Sequence, residues 1–206
     1  MQMKQTIAAG VMLTVVLACG CRIESNKHGE SENVRIATPF GGMQVKTNDA
    51  AVLEEIGLPA YPGAELVKKK DKDSGSADVN FSFGDFKLRV KAASYRTGDS
   101  PDKVAAFYRK ELGRYGDVIQ CANKRPVGSP TRTAEGLTCD DEKGGGNVNV
   151  EGEVTGKMEL KAGSAQHQHI VALDPDGNGT KFGLVALDLP GHITFGSDGG
   201  KDAPQQ

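Results

Sequence analysis

Between Val79 and Val90 the chain specifies its own pairing. Val79, Phe81 and Phe83 alternate with Asn80 and Ser82, and Phe86, Leu88 and Val90 alternate with Lys87, Arg89 and Lys91. Period two is the signature of strands with one apolar face. Gly84-Asp85 separates the runs and reads as a two-residue hairpin turn of the primed kind. That turn sets Phe83 opposite Phe86, Phe81 opposite Leu88 and Val79 opposite Val90. All six then share one face, and a slip of one residue would send them all to the other. Lys87, Arg89 and Lys91 are expected to face water. An antiparallel sheet is therefore the frame into which the remaining elements must fit.

Two helices are predicted against it. Over 101–115 the apolar positions Val104, Phe107, Tyr108, Leu112 and Tyr115 recur at helical spacing. Ser100 stands at the cap, Pro101 at the first helical position, and Asp102 complements the dipole. This stripe is expected to pack on the apolar face of the hairpin. A shorter helix follows the cap residue Asn48 and ends at Gly57 and Pro59. Further strands are predicted at 34–38 and 43–47 around Pro39-Phe40-Gly41-Gly42, and at 64–69, 117–120, 147–150 and 157–161. A second long hairpin, 167–173 with 180–187, surrounds Asp174-Pro175-Asp176-Gly177-Asn178-Gly179. The fold class is α+β, a mostly antiparallel sheet with two packed helices, 48–56 and 100–115.

The start of the chain is of another kind. Lys4 is the only charge before Arg22, and the apolar stretch 7–18 is short for a membrane-spanning helix, which needs roughly 20 such residues. It exits through Leu17-Ala18-Cys19-Gly20-Cys21. That exit resembles the lipobox of bacterial lipoproteins, a branched residue and small residues ahead of a cysteine. The resemblance implies lipid on the cysteine thiol, cleavage just before it and acylation of the new amino group. Cys21, preceded by Gly20, is the preferred lipidation site; Cys19, with Ala18 before it and Val16 at minus three, is the alternative. An ordinary cleaved signal is the other reading. The chain then divides into a lipoprotein signal peptide at 1–20, a polar flexible tether at 21–33, a single α+β domain at 34–190 and a disordered tail at 191–206.

Residues 1–20 hold one Lys and no acid, so residues 21–206 carry 24 basic and 27 acidic groups, net −3. There is no basic excess to collect nucleic acid. Beyond the leader the cysteines are Cys121 and Cys139. Export places them in an oxidising compartment, where they are expected to form a disulfide.

The sites that chemistry would use each have a structural alternative. Asp174, Asp176 and Asn178, followed by Gly179, match the first half of a calcium loop, but Val185 stands where its bidentate acid belongs. The same residues suit a tight turn. His167 and His169 lie two apart on one strand face, where imidazoles can chelate zinc or copper, with His192 or a carboxylate as third ligand. Asp140, Asp141 and Glu142 are adjacent acids in a loop. No G-x-S-x-G, phosphate-loop or H-E-x-x-H motif appears in the sequence, so no nucleophile with its base is assigned, and no cofactor is implied. The expectation is a lipid-anchored cell-envelope protein with its domain on the periplasmic or extracellular side. Its role is read as a non-catalytic binding or assembly module, in contact with the membrane through its anchor and with an envelope protein partner. A metal-dependent envelope hydrolase is the alternative.

Overall fold

The computed structural model describes residues 21–28, 31–68, 75–139 and 157–190. The leader with Cys19, the acids at 140–142, the strand expected at 147–150, and the tail at 191–206 with His192 lie outside the described residues.

One antiparallel sheet dominates. Its strands are β1 (Arg22–His28), β2 (Ser31–Thr38), β3 (Gly41–Lys46), β4 (Glu65–Leu66), β5 (Ser76–Phe83) and β6 (Phe86–Thr97). Then come β7 (Ile119–Ala122), β8 (Arg125–Pro126), β9 (Met158–Gly163), β10 (His167–Asp176) and β11 (Gly179–Asp188). The spatial order is β1-β2-β3-β5-β6-β11-β10-β9-β7-β8, with β4 added beside β6. The β5–β6 hairpin has the register its sequence dictates, Phe83 opposite Phe86, Phe81 opposite Leu88 and Val79 opposite Val90. Gly84 takes the left-handed φ of 55° that this turn requires.

The stretch expected to be a tether, 21–33, is strand-paired over its described residues 22–28 and 31–33. β1 runs antiparallel to β2 from Arg22↔Ala37 to His28↔Ser31. Its sequence lacks apolar bulk, but an edge strand needs only backbone partners and one neighbour. The β10–β11 hairpin also outruns its predicted limits: the ladder continues to Asp176↔Gly179 and closes through Gly177-Asn178 alone.

Helix α1 (Asp49–Ile56) begins where Asn48 accepts a bond from the Ala51 amide at 3.0 Å and ends at Gly57, φ 72°. Helix α2 (Pro101–Leu112) tightens into a 3-10 turn over Gly113–Tyr115. Ser100 stands at its N-cap without a side-chain capping bond. Asp99, one residue earlier, accepts from Lys103 at 2.9 Å and from the Tyr61 hydroxyl at 2.8 Å.

The placement of α2 corrects the sequence reading. Its buried face, Val104, Ala105, Tyr108 and Leu112, packs on β9, β10 and β11 and not on the 79–90 hairpin. The core there joins Leu160, Ala162, Val171, Leu173, Phe182 and Leu184 to Ala93, Tyr95 and the α1 residues Val52 and Ile56. The reason lies in β6, whose two faces exchange character at midlength. The row on the helix side reads Lys87, Arg89, Lys91, Ala93, Tyr95, Thr97, polar and then core-facing. The opposite row reads Phe86, Leu88, Val90, Ala92, Ser94, Arg96, apolar and then polar. The helices cover only the half whose apolar residues face them. Lys91 falls at the changeover and is buried, not hydrated, with its ammonium 2.8 Å from Glu55 of α1.

On the reverse side of the sheet, Ile119, Cys121, Leu137 and Cys139 form a second small core. The expected disulfide joins Cys121 to Cys139, Cα atoms 5.5 Å apart, and fastens the 123–139 loop over β7.

Candidate functional site

The residues with chemical potential are held in structural pairs. His167 and His169 share the helix side of β10, as alternation requires. His167 Nδ1 lies 2.9 Å from Asp188 Oδ1 across the ladder and is exposed. His169 is stacked on Tyr115, ring centroids 3.6 Å apart and planes 16° from parallel, and its Nδ1 is buried without a hydrogen-bond partner. Burial, aided by Arg114, lowers its pKa, while Asp188 and a hydrogen bond with the Ile56 backbone oppose the shift. Tyr115 donates to the Gly57 carbonyl at 2.7 Å, and Arg114 donates to the same oxygen at 3.1 Å. Tyr115 thus fastens the turn after α2 to β10 through the stack and to the end of α1 through its hydroxyl.

Asp174, Asp176 and Asn178 serve the hairpin. Asp174 accepts from the Lys157 amide at 2.9 Å, Asp176 pairs with Arg96 at 2.6 Å, and Asn178 is half of the turn. Among the described residues, no group of three or more His, Cys, Asp or Glu is placed to hold a metal. Lys161, which the sequence reading passed over, is buried with Glu159 at 3.2 Å on the reverse side of the sheet. Among the described residues no helix is long and apolar enough to cross a membrane.

What remains unaccounted for is a surface. β1, β2, β3, the second half of β5 and the first half of β6 form a five-stranded ribbon beyond the helices, while the start of β5 lies under α1. One face is mostly polar, as in the row Glu24–Arg35–Gln44–Asn80–Arg89, and is tied by Gln44 to Asn33 at 3.1 Å and by Asn80 to Arg89. The other face is apolar in register: Ile23–Ile36–Met43–Phe81–Leu88, and beside it Val34–Val45–Val79–Val90 running on to Leu187 of β11. Toward the sheet's centre this face closes over, and Val90 and Leu187 are buried. Toward its free end it opens: Phe81 is 40% exposed, Phe83 60%, Ile23 71% and Phe40, in the β2–β3 turn, 74%. Among the described residues, six of the seven exposed large hydrophobic side chains lie on this ribbon, which a soluble surface would scatter. The sequence signal for it was present in Phe40, a large aromatic between Pro39 and Gly41 where a turn calls for small or polar residues.

No family model, curated protein or solved structure matches the chain.

Proposed function

We propose that the protein is a lipid-anchored cell-envelope protein, moored through acylated Cys21, whose domain is a non-catalytic binding or assembly module at that membrane. The observation that carries this reading is the position of Cys21. It is exposed, bears a free thiol and stands one residue ahead of β1, at the open end of the ribbon's apolar face. The lipobox-like exit Leu17-Ala18-Cys19-Gly20-Cys21 supports it from the sequence. The binding role is supported by the ribbon, an ordered element that contributes little to the helix-covered core yet presents a continuous apolar face.

Mass analysis of the full chain purified from the membranes of producing cells tests the anchor. The expected product starts at Cys21 and carries acyl mass; a product that starts at Met1, or one without acyl mass, overturns the reading. Cross-linking in intact cells tests the module. A specific envelope protein is expected in the adduct, and a monomer under conditions that trap control lipoproteins counts against it.

A further inference from the structure

We infer that the open end of the ribbon is a membrane-contact rim, at which aromatic side chains beside the anchor enter the lipid interface and fix how the domain stands on the bilayer. The inference rests on the anchoring reading above. Its geometry comes from the registers. Arg22 pairs with Ala37, so Cys21 is level with Thr38; Thr38 pairs with Gly41, Gly41 with Phe83, and Phe83 with Phe86. Cys21, the Pro39-Phe40 turn and the Gly84-Asp85 turn therefore lie on one edge, about 19 Å long at the usual strand spacing. The Gly84 amide donates to the Phe40 carbonyl at 3.1 Å and holds the two turns together. Phe81 and Phe86 pack edge to face across this end, 5.8 Å between centroids.

Two arguments commit the rim to lipid over another occupant. Cys21, the residue that follows the apolar leader in the sequence, stands on this edge, so an attachment at Cys21 is in line with Phe40 and Phe83. Alternation carried back one residue also places Cys21 in the row of Ile23, on the apolar face. The charges suit a phosphate-bearing surface: Arg22, Arg35, Lys87 and Arg89 occupy the polar face within the first rows of the same end, against Glu24 and the turn acid Asp85. Asp85 limits the depth, since an ionised carboxylate stays at the hydrated headgroups while aromatic rings enter the interface.

The test uses full-length Phe40→Cys, Phe83→Cys and Val127→Cys chains, processed in cells, purified from membranes and labelled with an environment-sensitive fluorophore. They are reconstituted into phosphatidylcholine vesicles with and without brominated acyl chains. Val127 is exposed but lies beyond β8, at the opposite end of the sheet order. Probes at 40 and 83 are expected to blue-shift and to lose emission to brominated lipid, and the probe at 127 to do neither. Asp85→Cys repeats the reading should either aromatic substitution lower the yield. Acyl mass on the same samples reports the anchor separately. Acylated protein with water-like emission at 40 and 83 overturns the rim and leaves the anchor standing. Quenching without acyl mass removes the anchor and sustains the rim. A blue shift without brominated-lipid quenching, joined by a cross-link from position 40 or 83 to a polypeptide, overturns the rim because protein then covers it.

Discussion

Two side chains show how local context sets the sign of an effect. Lys91 is buried and Glu55, its partner, is half exposed. The hydrogen bond from Lys91 lowers the Glu55 pKa, with burial opposing. Removing the lysine leaves a carboxylate that water can still reach, whereas removing the carboxylate strands an ammonium. Glu55→Ala is therefore expected to cost more than Lys91→Met, by about 1–2 kcal/mol, in urea unfolding followed by circular dichroism. His169 makes a pH-dependent contribution. Its folded-state pKa is lowered by burial, so as pH falls the unfolded chain takes up the proton first. The stabilisation is complete above about pH 6.5 and is lost as pH falls below that toward the folded-state value. Wild-type protein is expected to lose more stability between about pH 7.5 and about pH 5.5 than His169→Phe, which keeps an aromatic ring against Tyr115 and titrates nothing. A sequence can announce that two histidines share a face. It cannot announce that one is closed under a tyrosine fifty-odd positions away, because that contact is made by the docking of α2.

At the scale of elements, what was legible followed from local rules and what was not depended on their assembly. The Val79–Val90 register could be read because a two-residue turn and a strict period of two leave one solution. Both helices could be read from Asn48, Gly57 and Pro101. The face each helix covers could not, because β6 changes its apolar side between Val90 and Ala93, and a six-residue window sees only one half. The expected tether was read from composition, yet polar residues pair at an edge as readily as they dissolve. Two predictions belong here. A β-carbon on Gly57 would meet the Tyr115 hydroxyl at 2.6 Å in a left-handed backbone, so Gly57→Ala is expected to cost about 1–3 kcal/mol and to lower the melting temperature. Cys121 and Cys139 are 18 positions apart, and Cys121→Ala with Cys139→Ala is expected to cost about 3 kcal/mol in denaturant unfolding, as would reductant acting on the wild type.

For the whole molecule, the uneven distribution of buried side chains predicts uneven opening. β10 and β11 are central, and each contributes to the helix-covered core, whereas β1 has one neighbour and no buried residue among those described. Backbone amides of β1 are expected to exchange with deuterium fastest among the strands of the ribbon, and those of β10 and β11 slowest in the protein, as read by mass spectrometry of peptides. Contact with a bilayer at the rim would slow the β2–β3 and β5–β6 turns and leave β10 unchanged. The missing slack between Cys21 and β1 has one further effect. With acylated Cys21 as the proposed mooring, the ordered part would start a single peptide unit after it and have no reach: the domain could neither swing nor stand away, and whatever it met would have to come down to the lipid surface. About 20 Gly and Ser residues inserted after Cys21 would give it a lever arm of about 25 Å, enough to trade a fixed posture for a searching one.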